Sequence, residues 1–224
     1  ELRSVPFIMH WNKLEPSEGQ YEFDKNIGAP LREAANQDLY VFMTVWVRPG
    51  TPEWLFDEKD APRVYTDRVV NALGHKQNRE DNLHPYYMHP AYKMHFFKLI
   101  ETFGSYVNHL PDELRSRILF VQSAEGSTGD GQPYKGNLLE SKYEISAADW
   151  NGFRRETWMH YQNAFPGIPI LVNSDANGGQ ETEWMLNNMD TIALKHGMFS
   201  HGYHVSGNVQ RLAEFGAMAK RAGE

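Results

Sequence analysis

The stretch from Ile118 to Gly136, ILFVQSAEGSTGDGQPYKG, decides how the rest of the chain is read. Ile118, Leu119, Phe120 and Val121 form a short apolar run of the kind found in strands buried on both faces of a parallel sheet. The run stops at Ser123-Ala124-Glu125-Gly126. Ser127, Thr128, Gly129, Asp130 and Gly131 then make a loop too rich in glycine and small polar residues to extend a strand or begin a helix. A carboxylate is left at the strand tip. Parallel-sheet folds gather their chemistry at the C-terminal ends of strands, so Glu125 is the first candidate for a catalytic acid or base; the plainer alternative is a capping or salt-bridging loop glutamate.

Outward from this strand, the same unit repeats on both sides. Upstream, Val5 to Trp11 reads as a short buried strand that delivers His10, Trp11 and Asn12 into a turn made by Pro16 and Gly19, followed by a helix with Ile27, Leu31, Ala34 and Ala35 on its apolar side. Leu39 to Val47 is a second strand, ending in Arg48-Pro49-Gly50-Thr51-Pro52-Glu53-Trp54-Leu55. Residues 57 to 90 show no clean periodicity and read as an elaborated loop with one short helix near Arg68 to Leu73. Tyr92, Phe96, Leu99, Ile100, Phe103 and Val107 then mark an amphipathic helix that leads into the Ile118 strand.

Downstream, Ala147 to Phe165 is helical and Ile168 to Val172 is the next strand, tipped by Asn173, Ser174 and Asp175. A helix from Glu181 to about Leu186, with continuation toward Ala193 as the alternative, precedes a weaker strand at Met198 to His204, and a last helix spans Val209 to Arg221. Strand-helix alternation implies an α/β fold with a parallel sheet and right-handed crossovers. At 224 residues the chain fits one domain, since single α/β domains reach about 200 to 250 residues.

Composition narrows the function classes. The net charge of -7 and the lack of a basic block argue against a nucleic-acid footprint. Cysteine is absent, which removes a disulfide framework, thiolate metal sites and a cysteine nucleophile. No apolar run reaches the roughly 18 residues of a membrane span, and no signal core is visible at the N-terminus. The 6 tryptophans and 11 tyrosines supply flat apolar faces with polar edges, suited to stacking on sugar rings and equally to filling a core.

Two motifs resemble a known group. Trp11-Asn12-Lys13-Leu14-Glu15-Pro16-Ser17-Glu18-Gly19-Gln20-Tyr21-Glu22-Phe23 is similar to a stretch of clan A glycoside hydrolases, including family 42 β-galactosidases, and Pro52-Glu53-Trp54-Leu55 resembles the segment after their third barrel strand. The resemblance implies a (β/α)8 TIM-type barrel hydrolysing β-linked sugars with retention, an acid/base glutamate after strand four and a nucleophilic glutamate after strand seven. Glu125 then corresponds to the acid/base. The clan usually carries Asn immediately before it, where this chain has Ala124. Counting Val5 as strand two, Leu39 as three, Ile118 as four, Ile168 as five and Met198 as six, the barrel is expected to be incomplete within residues 1 to 224, with the nucleophile outside them.

A retaining glycosidase needs two carboxyl groups about 5 to 5.5 Å apart. Besides Glu125, Asp130 is a candidate substrate ligand or turn residue, and Asp175 a candidate for direct chemistry or an Asx cap of the next helix. Trp11, Trp46 and Trp54 are candidate sugar platforms or core residues. His10, Asn12, Arg48, Asn173, His201 and His204 are candidate ligands for hydroxyl or anionic groups. A metal hydrolase is the outlying alternative, raised by His201 and His204 with His84 and His89, but their spacing fits no metal signature. The expectation is therefore a glycosidase acting on a β-linked oligo- or polysaccharide outside the cytoplasm, with a carbohydrate as partner and no cofactor or metal; a non-catalytic carbohydrate-binding barrel is the runner-up. Oligomeric state is left open.

Overall fold

The computed structural model describes residues 3–67, 82–126, 131–173 and 179–195, with 216, 217 and 220. Asp130, Asp175, His201 and His204, the short helix expected near Arg68, the strand expected at Met198 and most of the helix expected from Val209 lie outside the described residues.

The chain opens with β1 (Ser4–His10), α1 (Trp11–Leu14) and a π-helical turn, Asp24–Gly28, that runs into α2 (Ala29–Asn36). Pro30 falls at the junction where the π-helical turn passes into α2. β2 (Tyr40–Trp46) and α3 (Glu53–Asp57) follow, then the short antiparallel pair β3 (Arg63–Tyr65) and β4 (Leu83–Pro85). Next come α4 (Pro90–Asn108), α5 (Asp112–Arg115), β5 (Ile118–Gln122), α6 (Ala147–Ala164), β6 (Ile170–Asn173), α7 (Gly179–Asn188) and β7 (Ile192–Lys195). The main sheet has five strands in the order β1-β2-β5-β6-β7, each neighbouring pair parallel. Spatial order follows chain order, as in a sheet wound in one direction around an axis.

The fifth strand corrects the sequence reading. It is formed by Ile192–Lys195, a segment not expected to be a strand, which pairs with β6 from Ile170↔Ile192 to Asn173↔Lys195. The helix before it stops at Asn188. Met185, Met189 and Ala193 mimic a helical spacing, but the unpaired backbone of β6 is a stronger partner for Ile192 onward than another helical turn.

Register divides the sheet into two faces, because residues paired across parallel strands point the same way. On one face lie Met9, Val41, Met43, Val45, Val121, Ile170 and Val172, which join Phe96, Phe103, Phe153 and Trp158 of the helices in one hydrophobic core. The other face carries the rows Ile8, Thr44, Gln122, Leu171 and, above them, His10 and Trp46 on one side and Asn173 on the other. Phe42 and Phe120 stack here at 5.0 Å between ring centroids. This second face, which we call the axis face, is the one a closed barrel would enclose. The helical layer is tight: at Gly104 of α4 a Cβ would come within 2.4 Å of the Ala164 carbonyl oxygen of α6.

Candidate active site

Glu125 is at the C-terminal end of β5, and its side chain leaves the strand on the helix side. Gln122 faces the axis, so alternation turns Ser123 and Glu125 the other way. The Ser123 hydroxyl donates to Glu125 Oε1 at 2.6 Å, and the Trp158 indole N–H donates to the same oxygen. Arg154 Nε lies 3.6 Å from Oε2, and both residues are fully buried. Arg154 and Trp158 are one turn apart on α6, the guanidinium stacking over the indole at 4.8 Å. The same guanidinium donates through Nη2 to the Asn173 main-chain oxygen at 2.7 Å, so it ties the tips of β5 and β6 together. Glu125 and Asn173 are therefore at one end of the sheet, as alternation requires. Gly126 is demanded here by packing: a Cβ would lie 2.2 Å from the Gln132 carbonyl oxygen.

Sequence reading did not single out Ser123, Arg154 or Trp158. The available signal was period: Arg154 and Trp158 are four apart on a helix that follows the strand, and Ser123 is two residues before the carboxylate.

At the ends of β1 and β2, His10 and Trp46 are register partners and their rings stack at 5.8 Å with 22° between planes. Both are half-buried. Burial, with a smaller contribution from Lys13, holds the His10 imidazole below its ordinary range. Behind them the Asn12 main-chain N–H donates to the Gly50 carbonyl at 2.7 Å, and Gly50 packs so closely that a Cβ there would be 2.9 Å from His10 Cβ.

Three expected ligands are placed elsewhere. Trp11 is fully buried among Trp54, Tyr92 and Phe96, at 6.2, 5.9 and 6.0 Å, and Trp54 packs edge-on against His95 at 5.1 Å. Neither presents a face to a sugar. The reason is Glu15: it is buried, its carboxylate accepts from the Trp11 indole and the Gly19 main-chain N–H, each at 2.8 Å, and its main-chain oxygen accepts from the Trp54 indole at 3.1 Å. The two motifs behind the family resemblance thus lock onto each other as structure. Arg48 is only 2% exposed and points its Nε toward the Leu83 carbonyl at 3.4 Å, so it does not reach out to an anionic group.

Beside Arg48, His84 is enclosed by Tyr87 and Tyr134. Burial, aided by the Arg48 charge, pushes its imidazole down to about 3. An unfolded imidazole titrates near 6.5, so the neutral ring stabilises the fold fully above that pH, and this contribution is lost as pH falls toward 3. It amounts to on the order of 4 kcal/mol. In urea titrations from about pH 7 to about pH 4, His84→Phe should therefore gain on the wild type as pH falls; a stability difference that does not change with pH would contradict this.

Among the described residues, no group of three or more His, Asp or Glu side chains is gathered closely enough to hold a metal ion. No helix is long and apolar enough to cross a membrane among the described residues.

Comparison with solved structures gives the fold. Endo-glycoceramidase II from Rhodococcus sp., in its complex with a cellobiose-like isofagomine, aligns over 96% of this chain and 54% of its own, at TM-score 0.51 and 14% identity. The parallel α/β fold of this chain is similar to that of about half of the enzyme's chain. The same enzyme in its ganglioside GM3 complex aligns over 95% of this chain and 53% of its own, at TM-score 0.50 and 14% identity. A cold-adapted β-galactosidase from Rahnella sp. R3 aligns over 86% of this chain and 34% of its own, at TM-score 0.47 and 13% identity. This chain thus spans about half the length of the glycoceramidase it matches. No protein-family model matches the sequence, and no curated protein sequence matches it.

Proposed function

We propose that this chain is part of the catalytic barrel of a retaining β-glycosidase acting on a β-linked oligo- or polysaccharide outside the cytoplasm. In this reading Glu125 is the general acid/base, His10, Asn12, Trp46 and Asn173 line the sugar site, and further strands outside residues 1–224 complete the barrel and carry the nucleophile. The observation that carries it is the ordered run of five parallel strands, with a fold similar to that of glycoside hydrolase barrels, ending in polar and aromatic side chains at one rim. Ile8 supports the incomplete barrel: it is 48% exposed on the axis face, where a closed barrel would cover it. To reach a glycosidic oxygen, the Glu125 carboxylate must turn from Ser123 and Trp158 toward the axis.

One observation favours a second reading. Complete burial of Glu125 against Arg154 and Trp158 suits a structural ion pair joining β5 to α6, and the barrel would then bind carbohydrate without cleaving it. The full-length protein should be incubated with a panel of β-linked glycans and their α-linked counterparts, with and without a chelator. Release of reducing ends from a β-linked glycan alone, unaffected by the chelator, is expected. Binding without hydrolysis favours the second reading, and loss of turnover on chelation favours a metal hydrolase.

A further inference from the structure

Among the described residues, the groups that face the Glu125 carboxylate come from three elements, all on the helix side of the sheet. Ser123 stands two residues before it at the tip of β5, Arg154, Trp158 and Tyr161 come from α6, and Tyr92 comes from α4. Both tyrosines are fully buried, and burial, with smaller contributions that include the Glu125 charge, raises their phenols above the ordinary range. The carboxylate therefore meets neutral rings on those sides.

The hold on it is one-sided. Oε1 accepts from the Ser123 hydroxyl at 2.6 Å and from the Trp158 indole N–H. Among the described residues Oε2 accepts no hydrogen bond: Arg154 Nε lies 3.6 Å away, beyond hydrogen-bond reach, while its guanidinium donates through Nη2 to the Asn173 main-chain oxygen at 2.7 Å. Two donors on one oxygen thus fix where the carboxylate points. Fully buried on the face opposite the axis, it does not meet a glycosidic oxygen arriving at the axis-face rim.

We infer that Ser123 and Trp158 form a latch that parks Glu125 away from the axis, and that release of their two hydrogen bonds gates turnover. This deepens the glycosidase reading and rests on it for the acid/base role of Glu125. Turnover follows the released fraction, so a change that weakens the latch and spares the carboxylate raises activity. A bound glycan whose glycosidic oxygen accepts a hydrogen bond from the released carboxyl group shifts the equilibrium the same way, which confines the released state to the occupied site.

The test is kcat/KM of the full-length protein on cello-oligosaccharides and β-galacto-oligosaccharides, for wild type, Ser123→Ala and Trp158→Phe, with Tm measured for each. Ser123→Ala removes one donor and adds no bulk, and Trp158→Phe removes the other while keeping an aromatic ring against Arg154. Each variant should raise kcat/KM by about threefold to tenfold, the shift that loss of one hydrogen bond gives to an equilibrium. Removing a contact with a purely structural role has another signature: Tm falls and activity is unchanged or lower. Ser123→Ala decides alone if Trp158→Phe does not fold. Unchanged or lower kcat/KM in Ser123→Ala overturns the latch, and turnover by the wild type in that case leaves the glycosidase reading standing. Turnover by Ser123→Ala where the wild type shows none supports the latch. No turnover of any probe by wild type or variants overturns the latch together with the acid/base role of Glu125.

Discussion

Glu15→Ala is expected to destabilise the protein by about 3 to 5 kcal/mol and to lower its Tm by on the order of 10 °C. The alanine removes the acceptor for one buried donor, the Trp11 indole, and for the main-chain N–H of the exposed Gly19. Leaving the buried indole donor unpaired costs about 1 to 3 kcal/mol, the exposed Gly19 N–H can turn to water at little cost, and the lost side-chain volume adds a cavity next to Trp11. Glu15→Gln keeps one acceptor oxygen in the same volume and should lose roughly half as much. The Trp54 bond is to the main-chain oxygen of Glu15 and is retained in both variants. Differential scanning calorimetry on wild type and the two variants checks this; a Tm for Glu15→Ala within about 2 °C of wild type would show that these bonds contribute little net stability.

That prediction bears on what a sequence can convey. Trp11 and Trp54 fall just past strand ends, where an aromatic residue suits either a sugar platform or the core. Nothing local distinguishes the two outcomes. The choice is made by a contact across 39 positions, from the Trp54 indole to the Glu15 main chain. Strands β1, β2, β5 and β6 were legible because each is a largely apolar run closed by turn or loop residues; β2 and β6 are buried along nearly their whole length, whereas β1 alternates with exposed Ser4, Pro6 and Ile8. β7 was not, since four residues, Ile192–Lys195, carry too little pattern to outweigh the helical spacing before them. The β3–β4 pair was missed for a similar reason: two strands of three residues each owe their existence to one another.

The position of Glu125 was legible, but its direction was not drawn from the sequence, although alternation contains it. Val121 packs into the helical core, so Ser123 and Glu125 follow it to that side, and Ala124, in the place where the clan usually has Asn, is left with the axis parity. The cradle of Ser123, Trp158 and Arg154 is assembled from two elements and has no contiguous motif to find.

Glu125→Gln separates the two roles open to this carboxylate. Gln keeps the shape and an acceptor for the Trp158 indole, but it cannot be protonated and deprotonated in a catalytic cycle, and it gives up the charge beside Arg154. If Glu125 is the general acid/base, turnover of a β-linked glycan by the full-length variant should fall by about 10² to 10⁴-fold, while the affinity for that glycan stays close to wild type. The measurement is kcat alongside calorimetric binding and Tm, all taken well below the unfolding transition. Turnover within about twofold of wild type, with the loss appearing only in Tm, would contradict the catalytic role and leave Glu125 as the buried partner of Arg154.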